Sequence, residues 1–392
     1  MRALLLILLL PVGVVHAGEW SGNIAIEGRV FQHDAVDPRQ DNSNFSFSAL
    51  PEYFHEWNDG ADSITFTPFI RVDSDDDERT HADLRELKWT HVGDQWETHI
   101  GISKVFWGVT ESQHLVDIIN QTDLVENLDG EDKLGQPMLK YSTSREWGTL
   151  DLFLLPGFRE RTYPGKNGRI RTIPRVETDL VQYESAKEEK HIDSAIRWSN
   201  TYDIWDVGVS WFSGTGRDPV LIPAIDNKGE VVLSPYYEQI NQVGLDVQAT
   251  IDSWLLKLEM ISRDGTGDRY MASTAGFEYT VYGLFDSAHN LGLLAEYLYD
   301  ERGRNAPTFF EDDLFVGARW AWNDVQDTQL LAGMIKDSNS SERIFRLEAS
   351  RRVGQSLKLN IEAQVFSNIA PSSRFANFNQ EDYLQVELAW YF

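Results

Sequence analysis

Apolar and polar residues alternate along most of the chain. In 384–392, Leu384, Val386, Leu388, Trp390 and Phe392 share one parity, and Gln385, Glu387, Ala389 and Tyr391 share the other. Successive side chains of a strand point to opposite faces, so this period predicts a strand apolar on one side and mixed on the other. The unit recurs from Trp20 onward as roughly ten alternating residues followed by a turn or loop. A strand is predicted over 23–31, and another over 63–73 that Pro68 makes irregular or bulged. Hairpins are predicted at 87–102, turning on Gly93-Asp94-Gln95, and at 192–211, turning on Thr201-Tyr202-Asp203. Others turn at Asp252-Ser253, near 285–289, at 323–327 and at 353–356. Between these short turns lie longer polar connections at 32–44, 73–81, 107–135, 157–190, 214–236, 263–271, 300–312 and 367–381.

The parity opposite the apolar side carries Lys257, Glu259, Glu278, Glu296, Glu348, Lys358 and Glu362. A soluble sandwich could expose such residues to water, but the pattern holds across the whole chain and no linker divides it into two domains. Short turns that alternate with long loops match a membrane barrel. The fold class is therefore all-β: a closed antiparallel transmembrane β-barrel of about 18 strands, or about 16 if one hairpin is a misreading, with short periplasmic turns and long extracellular loops. Trp89, Trp96, Trp205, Trp254 and Trp320 stand beside the short turns, where an aromatic girdle meets the membrane interface.

Composition sharpens this picture. Residues 1–17 read as a signal peptide: Arg2, the apolar run Ala3-Leu4-Leu5-Leu6-Ile7-Leu8-Leu9-Leu10, then Val15-His16-Ala17 before the cut. That leaves 18–392 as the barrel. No later stretch is long and apolar enough for a spanning helix. Mean hydropathy is -0.38, which a barrel with a polar lumen also gives. There is no cysteine, so disulfides, thiolate metal sites and cysteine nucleophiles are excluded. A net charge of -27 argues against nucleic acid as a partner. It suits a surface facing outer-membrane lipid and lipopolysaccharide bridged by divalent cations. The final strand resembles the C-terminal signature of Gram-negative outer-membrane barrels, a terminal Phe with apolar residues at every second position before it. The resemblance implies that Phe392 is read as an assembly signal by the barrel-assembly machinery, which places the protein in the outer membrane after export through the periplasm.

The connection that starts at Lys104 breaks the alternation. Leu115, Ile118 and Ile119 recur at short-helix spacing in it. An apolar loop is stable neither in water nor, with its free backbone groups, in lipid, so it is expected to fold into the barrel mouth. Glu111, His114, Asp117, Asn120 and Asp123 would then stand near a constriction; the plain alternative is a loop lying on top of the barrel. A basic block, Arg159, Arg161, Lys166, Arg169, Arg171 and Arg175, would either attract anionic solutes or pair with acidic residues across the pore, or else form a solvated loop that contacts lipopolysaccharide phosphates. Arg319 and Arg346 are placed in the lumen by parity. Asp73-Ser74-Asp75-Asp76-Asp77-Glu78 opens like a calcium loop, but Glu78 stands where glycine is needed and Leu84 where the bidentate glutamate belongs, so an EF-hand is rejected; looser divalent-cation binding there stays open. No hydrolase, phosphate-loop, zinc or dinucleotide motif occurs, so neither an enzyme nor a metal or cofactor is expected.

Phe106-Trp107-Gly108 to Asn120-Gln121-Thr122-Asp123, Gly276-Phe277-Glu278-Tyr279-Thr280 and the stretch from Ala295 to Gly303 resemble uncharacterised porin-like outer-membrane proteins of proteobacteria. The resemblance implies a membrane channel and no particular substrate. The resulting expectation is passive diffusion of small hydrophilic solutes, limited by an inward loop near 106–135. The alternative is a closed barrel acting as surface receptor, adhesin or structural protein.

Overall fold

The computed structural model describes residues 18–265, 267–306, 308, 310–373 and 375–392; the predicted signal peptide lies outside the described residues. Eighteen strands form one sheet in which sequence neighbours pair. The first strand, Glu19–Phe31, pairs with Ser43–Trp57 on one edge and with the last strand, Tyr383–Tyr391, on the other, both antiparallel. That second pairing closes the sheet and removes both edges.

The faces are inverted relative to a soluble protein. On Glu19–Phe31, Ile26 is 58% exposed and Val30 51%, whereas Glu27 is 5% and Arg29 8%. Exposed Ile70 and Val72, Leu152 and Leu154, and Leu384 and Val386 continue the outer band on other strands. Charge turned inward and aliphatic carbon turned outward is stable only where acyl chains are the outer solvent.

The two ends of the barrel differ as expected. At one end the strands join through tight turns, and most of their left-handed non-glycine residues are Asn or Asp: Asn58, Asp59, Asp203, Asp252, Asn323 and Asp327 all have φ between 51 and 55°. Short polar side chains tolerate that conformation best among non-glycine residues. Trp89, Trp205 and Trp254 are exposed on the outer face beside these turns, and Trp96 and Trp320 are half-buried there. Trp96 stacks on Tyr141 at 6.0 Å and Trp320 on Trp322 at 5.1 Å. Phe392 is at this end too, donating its N–H to the Gly22 carbonyl.

The irregularity expected at Pro68 is present. The ladder between Asp62–Asp73 and His81–Gly93 shifts register at Thr67/Pro68 and skips Arg85, which turns into the lumen. One connection differs from the reading as a polar loop. Within 214–236 the strands Val220–Ile225 and Val231–Tyr237 form a hairpin, joined by Gln182–Tyr183 into a separate three-stranded sheet. The β-branched runs on both sides of Asn227-Lys228-Gly229 favour strand, and length alone hid this.

Candidate functional site

The connection 104–135 leaves the strand Trp96–Ser103 and lies inside the barrel before entering Gln136–Arg145. Trp107, Val116, Ile118 and Ile119 are buried against inward-facing Met138, Phe153, Phe212 and Ile261 of the wall. Burying this apolar face, at about 25 cal/mol per Å², is the driving force for the inward path. The loop's backbone groups must then find partners inside the barrel. Two wall glutamates supply them. Glu259, fully buried, accepts from the N–H groups of Val109 (2.7 Å), Thr110 (3.0 Å) and Val116 (3.1 Å) and from the Thr110 hydroxyl (2.7 Å). Glu296 accepts from the N–H groups of Glu111 and Ser112, both at 2.8 Å, and from the Ser112 hydroxyl at 2.6 Å. Within the loop, Asp117 accepts from the N–H groups of Trp107 and Gly108. Gly108 is required by close approach: a Cβ there would lie 2.4 Å from the His114 ring.

Beyond these anchors, four loop carboxylates each meet an arginine of the wall. Glu111 pairs with Arg319 at 2.6 Å, Asp123 with Arg85 at 2.7 Å, Glu126 with Arg71 at 2.8 Å, and Asp129 with Arg346 at 2.5 Å. Arg71 also reaches Glu27 of the first strand at 3.2 Å. The arginines stand on four different strands, Asp62–Asp73, His81–Gly93, Asp312–Ala321 and Arg343–Val353, so the loop is tied to well-separated parts of the wall. The Asp123–Arg85 and Glu126–Arg71 pairs are buried, so removing one partner leaves an uncompensated charge, whereas Arg319 and Arg346 keep part of their side chains open to the lumen.

His114 lies between two acids, its Nε2 2.9 Å from Glu131 and its Nδ1 3.7 Å from Glu259. Burial alone would depress its pKa, but the two carboxylates outweigh that and raise it from 6.5 to about 10, so the imidazole is a cation at neutral pH. Asp117 shifts the other way for a carboxylate. Its burial raises its pKa despite the N–H donors from Trp107 and Gly108.

The predicted residues therefore divide. Glu111, His114, Asp117 and Asp123 are all in the inward loop, and Arg319 and Arg346 face it from the wall. The basic block does not face Glu111 or Asp117. Arg159 pairs with Asp83 and Arg161 with Asp218, both at 2.7 Å; Arg169 pairs with Glu381 at 2.8 Å and Arg171 with Asp37 at 2.9 Å. These arginines tie the long loops to one another and to the top of the wall. The acids at 73–78 are also engaged. Asp73 accepts from the N–H groups of Asp75 and Asp76 and pairs with Arg79, while Asp76 accepts from Glu78 and Gly165 N–H. Sequence reasoning missed Glu126, Asp129, Arg71 and Arg85 as loop-to-wall partners. Parity placed Glu259 and Glu296 inside, but nothing local marked them as anchors for backbone N–H groups between 143 and 185 residues away in sequence.

Beside these anchors, a cavity of about 410 Å³ lies between the loop and the wall. Its wall side carries apolar Phe315, Leu331, Ile335 and Ile344 beside polar Arg346, Glu348 and Gln364; its loop side carries Glu111, Asp129 and Glu131.

No protein-family model matches the chain, and no curated protein does. Solved structures do. Wzi, an outer-membrane protein of Escherichia coli, is 8% identical with a TM-score of 0.54, over 94% of this chain and 84% of its own. OmpT of Vibrio cholerae is 9% identical with a TM-score of 0.48, over 96% and 99%. OprB of Pseudomonas putida is 10% identical with a TM-score of 0.46, over 96% and 94%. The likeness to Wzi is one of fold, and it agrees with the closed barrel read directly from the strand pairing.

Proposed function

We propose that the chain forms an outer-membrane channel for passive diffusion of small hydrophilic solutes, narrowed by the loop at 104–135, and that it belongs with the porin-like proteins its sequence resembles. The observation that carries this reading is the loop itself: an apolar-anchored segment inside a closed barrel, presenting Glu111, Asp129 and Glu131 to the space that remains. Lumen charge would set selectivity and the loop would set the size limit. The test is planar-bilayer recording on refolded full-length protein. Discrete current steps in potassium chloride are expected, and a silent membrane would favour a sealed barrel.

A second reading has its own support. The four loop-to-wall ion pairs neutralise much of the lumenal charge, as in a barrel closed by its own side chains. Such a barrel would act through its long outer loops as a receptor, adhesin or structural protein, with outer-membrane lipid, lipopolysaccharide and the assembly machinery as its partners. The same recording separates the two.

A further inference from the structure

The cavity beside the loop is unusual for a passage meant only for hydrophilic solutes. Phe315, Leu331, Ile335 and Ile344 point inward from three neighbouring strands, Asp312–Ala321, Gln329–Asp337 and Arg343–Val353, and their register sets them side by side: Phe315 opposite Ile335, and Ile335 opposite Ile344. The Phe315 ring packs closely over Gly333, where a Cβ would approach it to 2.4 Å. Leu331 and Ile335 remain half-buried rather than covered. Phe375 and Phe378 extend the apolar surface from the loop above, and Leu128 extends it from the inward loop. Elsewhere in the lumen the same kind of surface is sealed by Trp107, Val116, Ile118 and Ile119. Here Phe315 and Ile344 are rooted in buried clusters of their own, and Leu331 and Ile335 between them border open volume.

The polar end of the cavity is acid-rich. Arg346 is met by Asp129 at 2.5 Å, Glu348 at 2.7 Å and Glu362 at 4.0 Å, so three carboxylates share one guanidinium. Glu348 is the open member, with 45% of its side chain exposed. Glu131 is engaged by His114, and Glu111 by Arg319 and, at 3.8 Å, by Lys257. Among the described residues, the uncompensated charge of this space is therefore negative and lies around Glu348.

We propose that this cavity binds small organic cations with an apolar body: an aromatic or branched aliphatic group laid on Phe315, Leu331, Ile335 and Ile344, and an ammonium or guanidinium group beside Glu348. The volume, about 410 Å³, is in the range of a small-molecule site. The apolar wall rewards ring burial, the carboxylate excess rejects anions, and neither feature alone selects this class. The proposal deepens the channel reading, in that it names a solute class for the same lumen.

Isothermal titration calorimetry on the refolded full-length protein in detergent micelles tests it, with phenethylammonium, ethylammonium and phenylacetate as probes. Phenethylammonium is expected to bind roughly tenfold more tightly than either of the others. Glu348→Gln should weaken it about fivefold, and Ile335→Asn should abolish the preference over ethylammonium while both variants keep the wild-type heat-modifiable mobility on gels. Equal binding of the two ammonium probes, or tightest binding of phenylacetate, overturns the proposal. If a variant fails to fold, the wild-type probe series still decides. Bilayer recording on the same sample tests the channel separately: binding without current steps removes the pore and keeps the site, and current steps without binding do the reverse.

Discussion

On the strands between Gln136 and Asp264 the inner wall is apolar at Met138, Phe153, Phe212 and Ile261, and the inward loop covers it with Trp107, Val116, Ile118 and Ile119. On the strands between Asp312 and Ser367 the inner wall is apolar at Phe315, Leu331, Ile335, Ile344 and Phe366, yet a cavity of about 410 Å³ lies against it. The two patches have similar chemistry and different neighbours. The first is a hydrophobic core that happens to be inside a membrane barrel, and it fixes the loop. The second keeps part of its apolar area in contact with lumenal volume, a free-energy cost of about 25 cal/mol per Å² that a fully covered wall avoids. Side chains that carry such a cost mark a binding surface more often than a structural one.

The sharpest way to break this contrast is to cut the loop's anchor. Glu259→Ala leaves the N–H groups of Val109, Thr110 and Val116 without their acceptor and His114 with Glu131 as its remaining carboxylate, and should destabilise the protein by about 4 kcal/mol in urea titrations followed by tryptophan fluorescence. In bilayers the same variant should show larger and noisier current steps. Ile118→Ala on the covered patch should cost about 3 kcal/mol in the same titration, the range for a fully buried branched side chain.

A change of pH probes the anchor without mutation. His114 has its pKa raised from 6.5 to about 10, so the stability it contributes is fully present below pH 6.5 and is lost as pH rises toward 10. Its share of the decline should approach about 1.4 kcal/mol per pH unit at most, and His114→Gln should flatten the curve over that window. The smallest effect should come from the open patch. Leu331→Ala, half-buried, should cost about 1 kcal/mol. A Leu331 cost equal to that of Ile118 would mean that the two patches are equally covered and would remove the contrast.

Much of the barrel was legible because strand parity is a local property. Ile26 and Val30 against Glu27 and Arg29 can be read from four residues, and the same arithmetic repeats along the chain. The tight turns were legible for the same reason, since Asn and Asp in the left-handed region leave a local signature at Asp203 and Asp252. The candidate site was legible only in half. Glu111, His114, Asp117 and Asp123 stood out because they sit in an apolar loop that could not remain in water. Gln329–Asp337 gave less warning: Leu330, Ala332 and Met334 face out while Leu331 and Ile335 face in, so a strand apolar on both sides carries no alternation to read.

The sequence by itself determined a closed all-β barrel with its apolar face outward, because a period of two needs only neighbouring residues to be expressed. Only the tertiary structure decided which acid meets which arginine. Arg169 was drawn to Glu381, Arg346 to Asp129 and Arg71 to Glu126, through contacts spanning from 55 to 217 residues. Charge attracts across space without regard to chain order, and closing the sheet set which charges came within reach.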